Sequence, residues 1–186
     1  MQVVVTYRKT SRLSMRIGKN GEVRVSAPTG TPEQVVRRFV EEHRDWINKA
    51  LVKTAERHEK RREFFDQLPL TTRQECREAA ERMNSIIPPL VEKYSRLMGV
   101  KPVGITYKAT ISKWGCCNPK SKRIMFSAYL LLLPEWCIEH VVVHELAHLI
   151  VPNHSDKFYA VMDTYFPRWR EARAETKKIS RMEAEE

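Results

Sequence analysis

The string Val141-Val142-Val143-His144-Glu145-Leu146-Ala147-His148 places two imidazoles four residues apart, with a carboxylate next to the first. On a helix, four residues turn through about 400° and advance about 6 Å, so His144 and His148 share one face. Two imidazoles at that spacing reach one tetrahedral ion with Zn–N bonds of about 2.0–2.1 Å. Glu145 projects beside the pair rather than with it. That is the place of a group that takes a proton from an attacking water and passes it to a leaving group, not of a ligand. The pattern implies metal-assisted hydrolysis with zinc as the ion.

A third ligand is expected at His154. Pro152 cannot continue a helix, and Asn153 tolerates a tight turn, so the chain can swing His154 back toward the other two. Three histidines leave one coordination position open for water, whereas structural zinc sites are normally closed by four protein ligands, often Cys. Glu171 and Glu175 are the competing candidates. They sit among Arg168, Arg170 and Arg173, where ion pairs on a helix surface explain them. His140 lies about 12 Å along the axis from His148, so it is expected behind the ligands or at the surface. His43 and His58 fall in an amino-terminal helical stretch and read as structural or solvated.

The elements that must position these residues follow from pattern. Val3 to Tyr7, Leu13 to Ile17 and Glu22 to Ala27 read as strands, the last two joined through Gly18-Lys19-Asn20-Gly21, whose Asn-Gly step signals a hairpin. Thr31-Pro32-Glu33-Gln34 announces a helix, with Thr31 as cap and Gln34 reaching back to it, running toward Glu63. Leu68-Pro69-Leu70 is the expected linker between amino-terminal strands and helix (residues 1–67) and a core with a helical tail (residues 68–186), with one continuous domain as the alternative. A second helix from about Thr72 to Met98 should bend or split at Pro88-Pro89 and end at Gly99. Val103 to Ala109 and Arg123 to Ser127 read as strands around a loop, Ser112 to Lys120. Pro134 opens the helix that carries the histidines through Ile150, Ser155 caps the next one, and a charged helical tail follows Pro167. The fold class is α+β.

A hydrophobic share of 42% supports a real core, and no uncharged apolar stretch is long enough for a membrane span. The first residues hold too few apolar positions for a signal peptide. Four cysteines without CxxC spacing argue against a disulfide-stapled module and for a reducing cytoplasm. The net charge of +10 leans toward anionic partners, nucleic acid or nucleotides among them. The mixture of signs from Glu56 to Glu63 reads instead as a solvated helix face.

The chain resembles the YgjP-like metallopeptidases, small proteins grouped with the WLM and SprT-like minimal zinc proteases. The resemblance is carried by the amino-terminal strands, Arg44-Asp45-Trp46-Ile47 and Trp114-Gly115-Cys116-Cys117. It continues in the block from Val141 through His148 to Asn153-His154-Ser155 and Phe158. It implies a zincin-like active-site helix beside a short sheet, with one Zn2+ on His144, His148 and His154. It also implies Glu145 as general base and a peptide or protein substrate. Two positions depart from the family pattern, Cys116 for a serine and Ser127 for an asparagine, and both bear on the cleft wall. The Cys116-Cys117 segment reads as a structural loop beside the active-site helix, ahead of substrate contact or thiol chemistry. Two other readings stay open. One is a metal-dependent nucleoside triphosphate pyrophosphohydrolase, for which no phosphate-cradling Gly-rich loop is visible. The other is a nucleic-acid-binding module with a structural zinc.

Overall fold

The computed structural model describes residues 2–18 and 20–181, and the chain forms two compact units, Met1–Arg61 and Arg62–Glu186. In the first, strands β1 (Val3–Arg8), β2 (Ser14–Ile17) and β3 (Val23–Pro28) make a sheet in the order β1-β3-β2. β1 runs parallel to β3, and β2 runs antiparallel to it. The expected hairpin forms, with Gly21 at φ 76°, a conformation glycine adopts without steric cost. Lys19 of that turn lies outside the described residues. The alternation of β3 buries Val23, Val25 and Ala27 against Val36, Val40 and Ile47 of helices α1 (Glu33–Glu42) and α2 (Arg44–Asp66).

Two expectations for this unit need correction. Thr31 does not cap α1: its hydroxyl donates to the Pro28 carbonyl at 2.8 Å and closes the preceding turn, and Pro32 takes the cap position without a side-chain bond. The helix is also not continuous to Glu63. It breaks at His43 (φ −106°, ψ 17°), whose Nδ1 is 2.8 Å from the Phe39 carbonyl, and restarts at Arg44. The imidazole takes a carbonyl that a continuing helix would bond with backbone N–H, a local competition that apolar spacing does not reveal.

In the second unit, helix α3 (Arg73–Met98) passes through Pro88 and Pro89 without splitting. Each internal proline costs about 3 kcal/mol. Against that, Ala79, Met83, Ile87, Val91, Tyr94 and Met98 form one buried stripe along the whole length. At about 1.5–3 kcal/mol for each of the larger side chains, burial outweighs the two lost donors. Gly99 ends the helix in the left-handed region (φ 65°), as expected.

Strands β4 (Gly104–Lys108), β5 (Gly115–Asn118) and β6 (Arg123–Ser127) form a second sheet in the order β4-β6-β5. β5 occupies a stretch of the segment read as a loop. Gly115 to Asn118 pair antiparallel with Phe126 to Arg123, a partner that sequence alone does not supply. A short 3-10 turn, Ala128–Leu132, leads to α4 (Glu135–Ala147), followed by α5 (Asp156–Tyr165) and α6 (Trp169–Arg181). α4 is buried nearly all round and packs against α3, α5, α6 and β5. A helix apolar on every side belongs in the middle of a core. It closes at Ala147, short of Ile150, because the next N–H groups tighten to i−3 carbonyls: Leu149 to Leu146 and Ile150 to Ala147, both at 3.0 Å. No helix among the described residues is long and apolar enough to cross a membrane.

The α3 start provides a test. Thr72 and Glu75 form a reciprocal capping box, and Glu75 also accepts from the Thr71 N–H and hydroxyl at 2.9 Å. The Thr72 N–H, the Thr71 hydroxyl and the Thr71 N–H hold its carboxyl down at about 2, from an ordinary 4.5. A depressed folded value means that the contribution is complete above about pH 4.5 and fades as pH falls toward 2. Glu75→Ala should lower Tm at pH 7 and flatten the fall of Tm between those limits. Equal slopes for both proteins would refute this role.

Candidate metal centre

His144 stands in the last turn of α4, and His148 is its C-cap residue, still right-handed (φ −66°, ψ −17°), so the helical spacing of the pair survives the end of the helix. The chain then turns through Val151 to Ser155. Ser155 takes the cap position of α5 by backbone only, and His154 immediately before it faces back to the other two. The His144 and His154 Nε2 atoms are 3.0 Å apart, and one ligand atom from each of the three histidines falls within 4.8 Å of the others. Ring centroids are 4.7–5.0 Å apart.

Beneath them lies Phe158, fully buried, in the first turn of α5 and four residues beyond His154. Its ring centroid is 4.9 Å from His144, 4.6 Å from His148 and 4.8 Å from His154. One aromatic ring therefore supports all three imidazoles. The i, i+4 step from His154 was the available signal for it, and it reads equally well as ordinary core spacing.

The donor set suits a metal ion. Ligand nitrogens around a tetrahedral zinc stand about 3.3 Å apart, given bonds of about 2.0–2.1 Å, and the distances here bracket that separation. The His148 Nδ1 is 3.3 Å from the Val151 carbonyl. A proton on Nδ1 donated there leaves the Nε2 lone pair free, the usual way a backbone carbonyl fixes the tautomer of a ligating histidine. Burial draws the His144 imidazole down to about 3, with His148, His140, His154 and Arg173 adding to the effect, and burial also lowers His148. Neutral imidazole is the form that binds metal.

Glu145 follows His144 and is turned by about 100°. It is only 5% exposed and lies against β5. Burial pushes its carboxyl up to about 7, opposed by the Cys117 backbone N–H that it accepts from and by the charge of Lys113. Gly115 makes the close approach feasible: a Cβ there would lie 2.5 Å from the Glu145 Oε1 and 2.6 Å from its Cγ. Gly115 and the Cys117 N–H are thus components of the site that residue chemistry alone did not single out. The signal was the Trp-Gly step itself, read as a loop.

The other candidates lie elsewhere. Among the described residues neither Glu171 nor Glu175 joins the three-histidine cluster, and Glu171 is ion-paired with Arg168 at 2.9 Å. His140 is buried behind His144, with centroids 6.0 Å apart, and its Nδ1 has no hydrogen-bond partner. His43 and His58 are exposed in the other unit. Ser127 is fully buried. Its hydroxyl donates to the Thr110 carbonyl at 2.7 Å, and its N–H donates to the Trp114 carbonyl at 2.8 Å, which ties down the start of β5.

Two solved structures are similar to about half of the chain. The metallopeptidase zymogen abylysin of Pyrococcus abyssi is 24% identical over 49% of this chain and 93% of its own, with a TM-score of 0.44. The metallopeptidase zymogen jannalysin of Methanocaldococcus jannaschii is 22% identical over 50% of this chain and 88% of its own, with a TM-score of 0.41. No curated protein matches the chain. The model of the YgjP-like metallopeptidase domain matches residues 11–75 and 68–179, most of the sequence, and the chain belongs to that family of hydrolases.

Proposed function

We propose that the chain hydrolyses peptide bonds with one zinc ion held by His144, His148 and His154 and with Glu145 as the general base. The convergence of three imidazole nitrogens within 4.8 Å carries this reading. When bound, such an ion supplies the Lewis acidity that makes water nucleophilic near neutral pH and polarises a substrate carbonyl. Glu145 takes the proton from the attacking water and delivers it to the departing amine nitrogen. The Cys117 N–H orients the carboxylate for both transfers, and Gly115 leaves the space it occupies. Phe158 restrains the three rings, so little side-chain freedom remains to be lost on binding the ion. The four cysteines are free thiols, in keeping with a reducing cytoplasm as the working compartment.

Metal analysis and hydrolysis of an unfolded protein, with nucleoside triphosphate as a parallel substrate, test the reading. Glu145→Gln should keep near-stoichiometric zinc and lose about 10²–10⁴-fold in kcat, the usual contribution of a general base. Residual activity above about a tenth of wild type would remove Glu145 from that role. Triphosphate turnover without peptide cleavage would overturn the substrate class.

His154→Ala should weaken zinc binding sharply, while Glu171→Ala and Glu175→Ala leave it nearly unchanged. Titration against a chromogenic chelator reads both, and the reverse order of affinities would reassign the third ligand. Gly115→Ala should displace the carboxylate and depress kcat with zinc content intact. Gly104→Ala, where nothing lies within 4 Å of the added Cβ, serves as the matched control. Equal activity of the two glycine variants would show that Glu145 does not depend on that space.

A further inference from the structure

The positive charge of the chain is unevenly divided. Residues 1–61 hold 14 Lys and Arg against 7 Asp and Glu, so seven of the net ten charges fall in the amino-terminal unit, which does not carry the histidine cluster. Helix α2 organises a share of this excess. The stretch from Glu56 to Glu63 mixes signs in sequence, but at about 100° per residue the signs separate in space. Trp46, Lys49, Lys53, Arg57 and Lys60 fall within an arc of roughly 80°, and Asp45, Glu56, Glu59 and Glu63 gather in an adjoining arc of roughly 60°. The cationic arc lies roughly 120–160° around the helix from Ile47 and Leu51, which pack into the unit's core.

All five residues of the stripe are exposed, Trp46 at 48%. None of the four cations forms an ion pair with a described residue, although Glu56 lies one turn before Lys60 and Asp45 one turn before Lys49. Lys49 to Lys60 spans about 16 Å, with a cation every 4.5–6 Å or so of helix axis. An exposed indole stands at the amino-terminal end of that row.

We propose that this face of α2 binds single-stranded nucleic acid, the four cations following the phosphodiester backbone and Trp46 stacking on an unpaired base. A cationic track with an adjacent aromatic platform is the chemistry by which single strands are held without sequence preference. A lipid surface fits less well. The other large apolar residue exposed on α2, Val52, lies roughly 120° around the helix from Trp46, so there is no apolar face to enter a bilayer beside the charges. Binding here is independent of hydrolysis and would stand or fall without it.

The test uses the full chain and fluorescence anisotropy of a short labelled single strand of mixed sequence, with its duplex as the comparison. Wild type should prefer the single strand and bind with a steep salt dependence. Changing Lys49, Lys53, Arg57 and Lys60 together to Gln should weaken binding at least tenfold and reduce the slope of log K against log salt by about 3, at about 0.7 per phosphate contact. Trp46→Ala should weaken the single strand more than the duplex. The control changes Arg77, Arg82, Lys101 and Lys120 of the other unit to Gln and should bind as wild type. Helical circular dichroism confirms that both quadruple variants are folded. Equal affinity of the two quadruple variants would overturn the proposal. So would displacement of the strand by polyglutamate at equal charge, or selective retention on phosphatidylserine vesicles that the strand does not compete away.

Discussion

α4 is buried nearly all round, and burial leaves little water for three of the ionisable groups it carries, His140, His144 and Glu145, whereas Glu135 is exposed and Glu139 accepts from Lys93 and Tyr94. Burying an ionisable side chain without a partner costs several kcal/mol unless it becomes neutral or finds a hydrogen bond. The second unit meets that constraint differently at each position. His144 is kept neutral and faces two other imidazoles. Glu145 meets an edge strand that offers a backbone N–H and omits a side chain. His140 is kept neutral, drawn down to about 4 by burial with the charge of Arg173 assisting, and leaves one nitrogen without a partner.

The same constraint explains why a sheet of only three short strands is placed where it is. β6 is the central strand and buries Ile124, Phe126 and Ser127. β5 lies outside it and has no apolar run of its own: Gly115-Cys116-Cys117-Asn118 is held by β6 on one side and by the buried carboxylate on the other. Trp114 anchors its near end, with ring centroids 6.5 Å from Phe64 and 6.2 Å from Phe65. On the opposite flank, α5 supplies Phe158. α4 is thus gripped between a strand that meets the Glu145 carboxylate and a ring that packs against the three imidazoles.

What sequence revealed and what it hid divide along the range of the interactions. The three histidines were legible because helical spacing and a helix-stopping proline are local facts, and their convergence needs only ten residues of chain. The Asn20-Gly21 turn and the Gly99 cap were legible for the same reason. At Pro88 and Pro89 the helix does not split, because their cost is local whereas the stripe from Ala79 to Met98 that outweighs it is tertiary. The break at His43 turned on a single side-chain contact with a carbonyl. β5 was hidden because its strand character comes from pairing with β6, and Gly115 because its importance lies in a carboxylate thirty residues away. At β5 and Gly115 a contact far along the chain overrode the local preference, whereas the break at His43 and the missing Thr31 cap come from local side-chain contacts that apolar spacing does not reveal.

The vicinal thiols on β5 bear on the same site. Successive side chains on a strand point to opposite faces, so Cys116 is exposed while Cys117 is half-buried toward α4. Burial, with Glu145 and Cys116 adding, pushes the Cys117 thiol up to about 11. At pH 7 the sulfur is then held as the thiol and not as the thiolate, the form that ligates soft metals or attacks electrophiles. The low-dielectric wall beside Glu145 therefore keeps that sulfur chemically quiet, and the backbone N–H of Cys117, not its side chain, is what the residue offers to the buried carboxylate.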